Sequence, residues 1–390
     1  MKTIPSICCL LTLLALPGEV AFTQSGRTGT TYTVLVTPQA SLTRIGADAL
    51  GSGGASVAEK GLATAAFTNP ANMHFDSFTA YAEFGKYTTS EWAVDFDYNG
   101  QFVAPTVLSV GLPLEGFSLG LSYLRQYSNH MTVGPISITT PEFPDGTGES
   151  MTFENSVDLH SLCGSASVAL NNMVSLGLTV GGNYFHWSQG LGTFSVLGTS
   201  KSFFGVGGIT VALDENVSVA ASARYNSSTT FTPEVNPPIQ LLDPRGRYGY
   251  TVEEPSPVEV RFPPICEMGV SWQALPEFKL LASTEFQNWT TALPDAENRW
   301  QFHVGGVVDA TEVLALRFGF FTLSNPTAYN QDVLDQQFLT LGFQLKLEQI
   351  RFSLAMMDSH LFKKSVPADS WTFTEPFYQT YFASGVSLAF

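Results

Sequence analysis

Charge is scarce in this chain. Of 390 residues only 13% are Asp, Glu, Lys or Arg, against 44% hydrophobic residues, whereas ordinary soluble domains carry about 25% charged residues. Cations are the scarcer sign: Lys and Arg number 18 against 34 acidic residues, for a net charge of -16. That balance and the lack of a basic run exclude a surface built to neutralise nucleic-acid phosphates. Cysteine is nearly absent, with four residues, so no disulfide framework is available. After the first 25 residues no run of 18 apolar residues occurs, which excludes a spanning helix.

Catalytic patterns are missing as well. The six histidines, His74, His130, His160, His186, His303 and His360, show no metal-ligand spacing. Gly51-Ser52-Gly53-Gly54 lacks the Gly-Lys-Ser/Thr of a phosphate loop, and Gly205-Val206-Gly207-Gly208 fails the dinucleotide pattern. There is no G-x-S-x-G nucleophile turn. Neither an enzyme nor a cofactor is expected. The acidic stretches 141–149 and Glu253-Glu254 read as solvated loop surface in preference to a site for divalent ions between lipid head groups.

What is present begins with a leader. Residues 1–25 combine Lys2 with the apolar stretch 4–16, as in a secretory signal, with cleavage after Ala21 or after Ser25. Cys8 and Cys9 fall inside that apolar stretch, too early for a lipid-modified cysteine. Export leaves Cys163 and Cys266, far apart in the chain and expected to be free thiols.

Residues 46–75 then read GADALGSGGASVAEKGLATAAFTNPANMHF, nearly all small residues, with Asp48, Glu59 and Lys60 as the charges before Asn69-Pro70-Ala71. Small residues let a backbone lie tightly against another surface. Pro70 lacks an N–H and pushes Asn69 toward an extended conformation, so the segment must turn there. This segment cannot build its own core and reads as a short, partly helical plug, with 26–77 as its domain.

The remainder, 78–390, alternates with a period of two. Leu314-Ala315-Leu316-Arg317-Phe318-Gly319-Phe320 places large apolar residues on one face and small or polar ones on the other, and 117–123, 174–180 and 350–356 do the same. Counting gives about fourteen such strands: 78–86, 102–113, 117–127, 155–170, 174–187, 201–213, 217–226, 258–272, 278–289, 300–308, 313–323, 336–346, 349–357 and 377–390. Their connections alternate short and long. The pattern predicts an all-β fold, a transmembrane antiparallel β-barrel with tight turns on the periplasmic side and long loops outside.

A charge on the lipid face costs about 2–4 kcal/mol at the midplane, so the polar alternates must point inward. They include Arg224, Lys279, Glu285, His303, Arg317, Gln344, Lys346 and Arg351. Two roles fit them: a network holding plug to wall, or a site for an anionic head group. Phe185, Phe204 and Leu281 are the candidate apolar lining. Tyr127, Trp187, Tyr225, Trp272, Trp289, Trp300 and Phe390 fall at strand ends, the level that amphipathic rings prefer. Pro105 lies inside the second strand, where a residue without an N–H belongs at an edge, bulge or break. It marks either a side opening in the wall or a strand that starts at Thr106.

The small-residue segment, Asn69-Pro70-Ala71 and strands running to a terminal Phe resemble the FadL/OmpP1/TodX outer-membrane transport family. Gly269-Val270-Ser271-Trp272, the stretch from Glu285 to Trp289, and Leu316-Arg317-Phe318-Gly319-Phe320 resemble it too, so that the likeness spans residues 44–390. It implies a monomeric barrel in the outer membrane of a Gram-negative bacterium, closed by an N-terminal hatch whose motif is Asn69, Pro70 and Ala71. Such a barrel passes hydrophobic compounds inward without an energy source, long-chain fatty acids or aromatic hydrocarbons, by hatch movement and a sidewall opening. The barrel component of type IX secretion is similar in fold and would instead make the chain a shuttle for exported proteins.

Overall fold

The structure is a computed structural model that describes residues 32–35, 46–89, 102–137, 150–191, 194–236, 240–242, 250–252, 257–292, 296–324, 336–362 and 379–390. The leader 1–25, the acidic stretches 141–149 and Glu253-Glu254 lie outside the described residues.

Fourteen antiparallel strands form one closed cylinder. In chain order they are β1 (Thr79–Thr89), β2 (Phe102–Leu114), β3 (Phe117–Ser137), β4 (Ser150–Ala169), β5 (Val174–Leu191), β6 (Phe194–Ala212), β7 (Val217–Asn226), β8 (Ile265–Leu275), β9 (Phe278–Gln287), β10 (Arg299–Asp309), β11 (Leu314–Leu323), β12 (Gln336–Leu347), β13 (Ile350–Asp358) and β14 (Gln379–Ala389). Each pairs with its chain neighbours, and β1 pairs with β14 from Thr79–Ala389 to Thr89–Gln379. Closure removes the unpaired edges that an open sheet would expose.

The faces follow the alternation. Leu341 and Phe318 are 59% and 42% exposed on the outside, while Arg317 and Thr340 between them are buried. The period of two leaves no choice, because a one-residue slip would turn every charge into lipid. Tyr225, Trp272, Trp300 and Phe390 point outward. Trp187 and Trp289 do not sit at an interface as expected. Trp187 is buried in an aromatic cluster of the lumen. Trp289 lies buried in a 3-10 turn after β9, where its indole donates to Gln287.

Several strands differ from the expected ones. Strand 258–272 divides into a short piece, Val258–Arg261, and β8, because Pro263-Pro264 between them cannot donate to a ladder. The short piece pairs with Thr229–Phe231 and, in parallel, with Tyr32–Leu35. Its Val258 and Val260, with Phe231 and Phe262, pack on Phe185 and Trp187 of the inner wall. The third and fourth strands are longer than expected, since β3 runs on to Ser137 and β4 starts at Ser150. A strand that continues beyond the lipid belt need not alternate apolar and polar residues.

Residues 46–77 occupy the lumen. They contain two short helices, α1 (Ala47–Gly51) and α2 (Ala65–Thr68), and a 3-10 turn at Pro70–Asn72. Their buried small residues face the wall, with Ala49, Val57, Ala66 and Ala71 at most 1% exposed.

Candidate functional site

Glycine in the wall is what admits the hatch. A Cβ on Gly177 of β5 would overlap the Pro70 carbonyl, and one on Gly208 of β6 would overlap the Asn69 side chain. Across the bore, Gly305, Gly319 and Gly342 of β10, β11 and β12 make the same room for Gly51, Ser52 and Gly53. Thr340 of β12 bridges this approach, accepting from the Gly53 N–H and donating to the Gly51 carbonyl, both at 3.0 Å. Small residues on both surfaces allow backbone-to-backbone contact, so hatch polar groups can be satisfied by the wall.

The Asn69-Pro70-Ala71 turn is held by side-chain amides. Asn69 Nδ2 donates to the Val57 carbonyl at 2.8 Å and to Thr210 Oγ1 at 3.0 Å, while its Oδ1 accepts from the Ala71 N–H at 3.1 Å. Asn72 donates to the same Val57 carbonyl at 2.6 Å and accepts from Thr210 at 2.7 Å. Thr210 belongs to β6, so the turn is tied both to the rest of the hatch and to the barrel. Pro70 sits at the first position of the 3-10 turn, where no N–H is needed.

The charged alternates of the wall reach the hatch as well. Arg317 donates from Nη1 and Nη2 to the two carboxylate oxygens of Glu59, at 3.1 and 3.0 Å, and from Nη1 to the Asp48 carbonyl at 3.1 Å. Lys279 lies 3.9 Å from Glu59. Gln344 donates to the Asp48 carboxylate at 3.0 Å. His303 Nδ1 lies 2.9 Å from the Gly53 carbonyl. Arg224 donates to the Phe67 carbonyl of α2. Burial alone would push the Glu59 carboxyl up. The charges of Arg317 and Lys279, the hydrogen bonds from Arg317 and the charge of Lys346 outweigh it and hold the group below its ordinary range.

The remaining candidates make further contacts. Lys346 pairs with Asp309 at 2.6 Å beside the short turns. Arg351 is exposed at the same end. Glu285, fully buried, accepts from Gln287 at 2.5 Å. Phe185, Phe204 and Leu281 are all buried but belong to three separate apolar clusters. Phe321 and Phe338 add a stacked pair, 4.7 Å between centroids, packed beside Ala47 and Leu50 of α1. Sequence reasoning missed the hatch side of these contacts. The signal was there, since Asp48 and Glu59 are the two carboxylates of an otherwise small-residue segment.

Among the described residues the β2–β3 pairing ends beside Pro105. The β2–β3 ladder stops at Val107–Leu124. Above that point β2 stays with β1 as far as Phe102–Tyr87, and β3 stays with β4 as far as Ser137–Ser150. Each strand carries a bulge at the parting: Thr106 is the extra residue on β2 and Gln126 on β3. Bulges bend a strand and end pairing. The alternative of a strand beginning at Thr106 does not hold, because β2 passes through Pro105. Polar side chains rim the gap, with Arg125 paired to Asp158 and Gln126 donating to Ser161.

A greasy closed cylinder stoppered by its own leading segment defines a membrane-spanning β-barrel of the outer-membrane type. No family model matches the chain, and no curated protein matches it. Its fold is that of solved FadL-type transport barrels. It is similar to the Ralstonia pickettii toluene transporter TbuX, with a TM-score of 0.68 at 12% identity over 90% of this chain and 99% of that one. Similar too are the Pseudomonas putida toluene transporter TodX, with 0.66 at 14% identity over 88% and 97%, and a Pseudomonas aeruginosa FadL homologue, with 0.59 at 14% identity over 95% and 100%.

Proposed function

We propose that this protein is a passive channel that lets small uncharged hydrophobic molecules cross the outer membrane. The observation that carries the reading is the pairing of a filled bore with an open seam. The hatch occupies the lumen and is bonded to it on several sides, while the β2–β3 ladder is open at Pro105. Cargo entering from the long-loop end meets buried aromatics such as Phe185, Trp187 and Phe231. Its path of least resistance is then sideways into lipid, not down through the hatch. Apolar lining with few polar groups suits an apolar ligand.

The lumen cations favour hydrocarbons over fatty acids. Arg317 and Lys279 face Glu59, Lys346 faces Asp309, and Arg224 binds a hatch carbonyl. A fatty-acid carboxylate would have to displace one of these partners, and a neutral aromatic would not. The fold shared with toluene transporters agrees with this choice. The test is uptake of labelled toluene and labelled oleate by cells that make the protein, set against cells carrying the empty vector. Toluene uptake above the vector level, with a smaller gain for oleate, is expected. No gain for either compound refutes the reading.

A further inference from the structure

The seam where the cylinder closes contains a carboxylate that none of the above uses. Glu83 of β1 is 2% exposed and points into the lumen. Its Oε2 accepts from the Ala47 N–H of the hatch at 2.6 Å and from the Tyr81 hydroxyl at 2.5 Å. Its Oε1 accepts from Thr106 Oγ1 at 2.9 Å. Thr106 is the bulge residue next to Pro105, at the point where the wall parts. One side chain therefore holds the start of α1 with one oxygen and the edge of the wall gap with the other.

The surroundings are built around this arrangement. The Tyr81 ring crosses over Gly385, where a Cβ would meet its hydroxyl at 2.5 Å. On the next pair of residues the Tyr381 ring crosses over Gly85 and shares a hydrogen bond with Thr106. Two glycines on paired strands thus let two tyrosines lean across the seam toward the same carboxylate. All three donors to Glu83 are neutral, and a buried carboxylate depends on keeping them, because a lost donor leaves its charge poorly solvated.

We infer that Glu83 is the latch that couples the hatch to the wall where β2 parts from β3: α1 stays seated while Thr106 keeps its bond to the same carboxylate. When α1 shifts, Oε2 loses the Ala47 N–H, and the carboxylate turns to find a replacement donor. That turn takes Oε1 away from Thr106 and frees the bulge. Conversely, cargo pressing on the bulge unseats α1. The role in gating rests on the channel reading above; the mechanical coupling does not. Glu83 is a positioning residue and need not touch cargo.

The test separates the two. Hydrogen exchange is followed in purified full-length protein in detergent, with barrel folding checked by heat-modifiable gel mobility. Thr106→Val alters the wall and leaves every hatch residue intact. It should nonetheless speed exchange of the 46–56 amides roughly tenfold, the scale set by losing a hydrogen bond to a carboxylate. Glu83→Gln should do the same, the double variant should add little to either, and Thr106→Ser should behave as the unaltered chain. Hatch exchange unchanged in a folded Thr106→Val barrel, or effects of the two variants that simply add, would overturn the latch. If the coupling is seen but toluene uptake does not exceed the vector level, the latch stands and the channel reading falls.

Discussion

Arg317 on β11 and Glu59 in the hatch, 258 residues apart in sequence, meet as a two-pronged ion pair with both side chains at most 7% exposed. Removing one partner strands the other's charge in a buried site, at a cost of about 3–5 kcal/mol. Arg317→Met is therefore expected to unseat the hatch and raise single-channel conductance in planar bilayers. The double variant with Glu59→Gln should recover most of the closed behaviour, because the only charge left without Glu59 is the part-exposed Lys279. Equal conductance of Arg317→Met and the unaltered protein would show that the pair holds nothing shut.

The same pair sets a pH response. Glu59 titrates below its ordinary value of 4.5, so its contribution to hatch seating is complete above that value. The contribution is lost as pH falls through the depressed value and the carboxyl takes up a proton. Conductance should stay low from neutral pH down to about that ordinary value and rise below it. Glu59→Gln should remove this dependence. A conductance that rises instead toward alkaline pH would contradict the assignment.

Asn69→Ala deletes an amide that serves the Val57 carbonyl, Thr210 and the Ala71 N–H at once. Each buried group left without a partner costs about 1–3 kcal/mol. The hatch should loosen, seen as more frequent openings and faster proteolysis within 46–77. A normally folded barrel with unchanged conductance would remove the motif from the account.

Gly208→Ala and Gly207→Ala offer a matched pair on β6. The first methyl would overlap Asn69, while the second meets nothing within 4 Å. Only Gly208→Ala should raise conductance, since the Asn69 amide is fixed by its bonds to Val57, Thr210 and Ala71 and cannot swing away from the extra atom. A phenotype in both, or in neither, would contradict the packing described.

Much of the cylinder could be read from sequence for one reason. Leu316, Arg317 and Phe318 cannot exchange faces without placing a guanidinium in lipid, so the inside and outside of β11 were settled before any contact was known. The hatch turn was legible because Pro70 forbids continuation. What Arg317 touches was not legible, because Glu59 lies in another element and no local pattern links the two. Val258 and Val260 alternate as a wall strand does, yet they belong to the inner layer, and only Pro263-Pro264 betrays the division. Trp289 looks like an interfacial ring until the turn after β9 buries it. The irregularity beside Pro105 was half legible: the proline announced it, but the parting of β2 from β3 comes with a matching bulge at Gln126.

On the proposed function cargo leaves sideways where β2 parts from β3, and toluene uptake by cells with an altered wall tests this most directly. Pro105→Val restores a backbone donor at the parting and favours a continuous ladder. Cells with the unaltered protein should take up toluene faster than empty-vector cells, and cells with an equal amount of folded Pro105→Val barrel should fall back toward the vector rate. Unimpaired uptake through a wall shown by hydrogen exchange to have closed would contradict the claim.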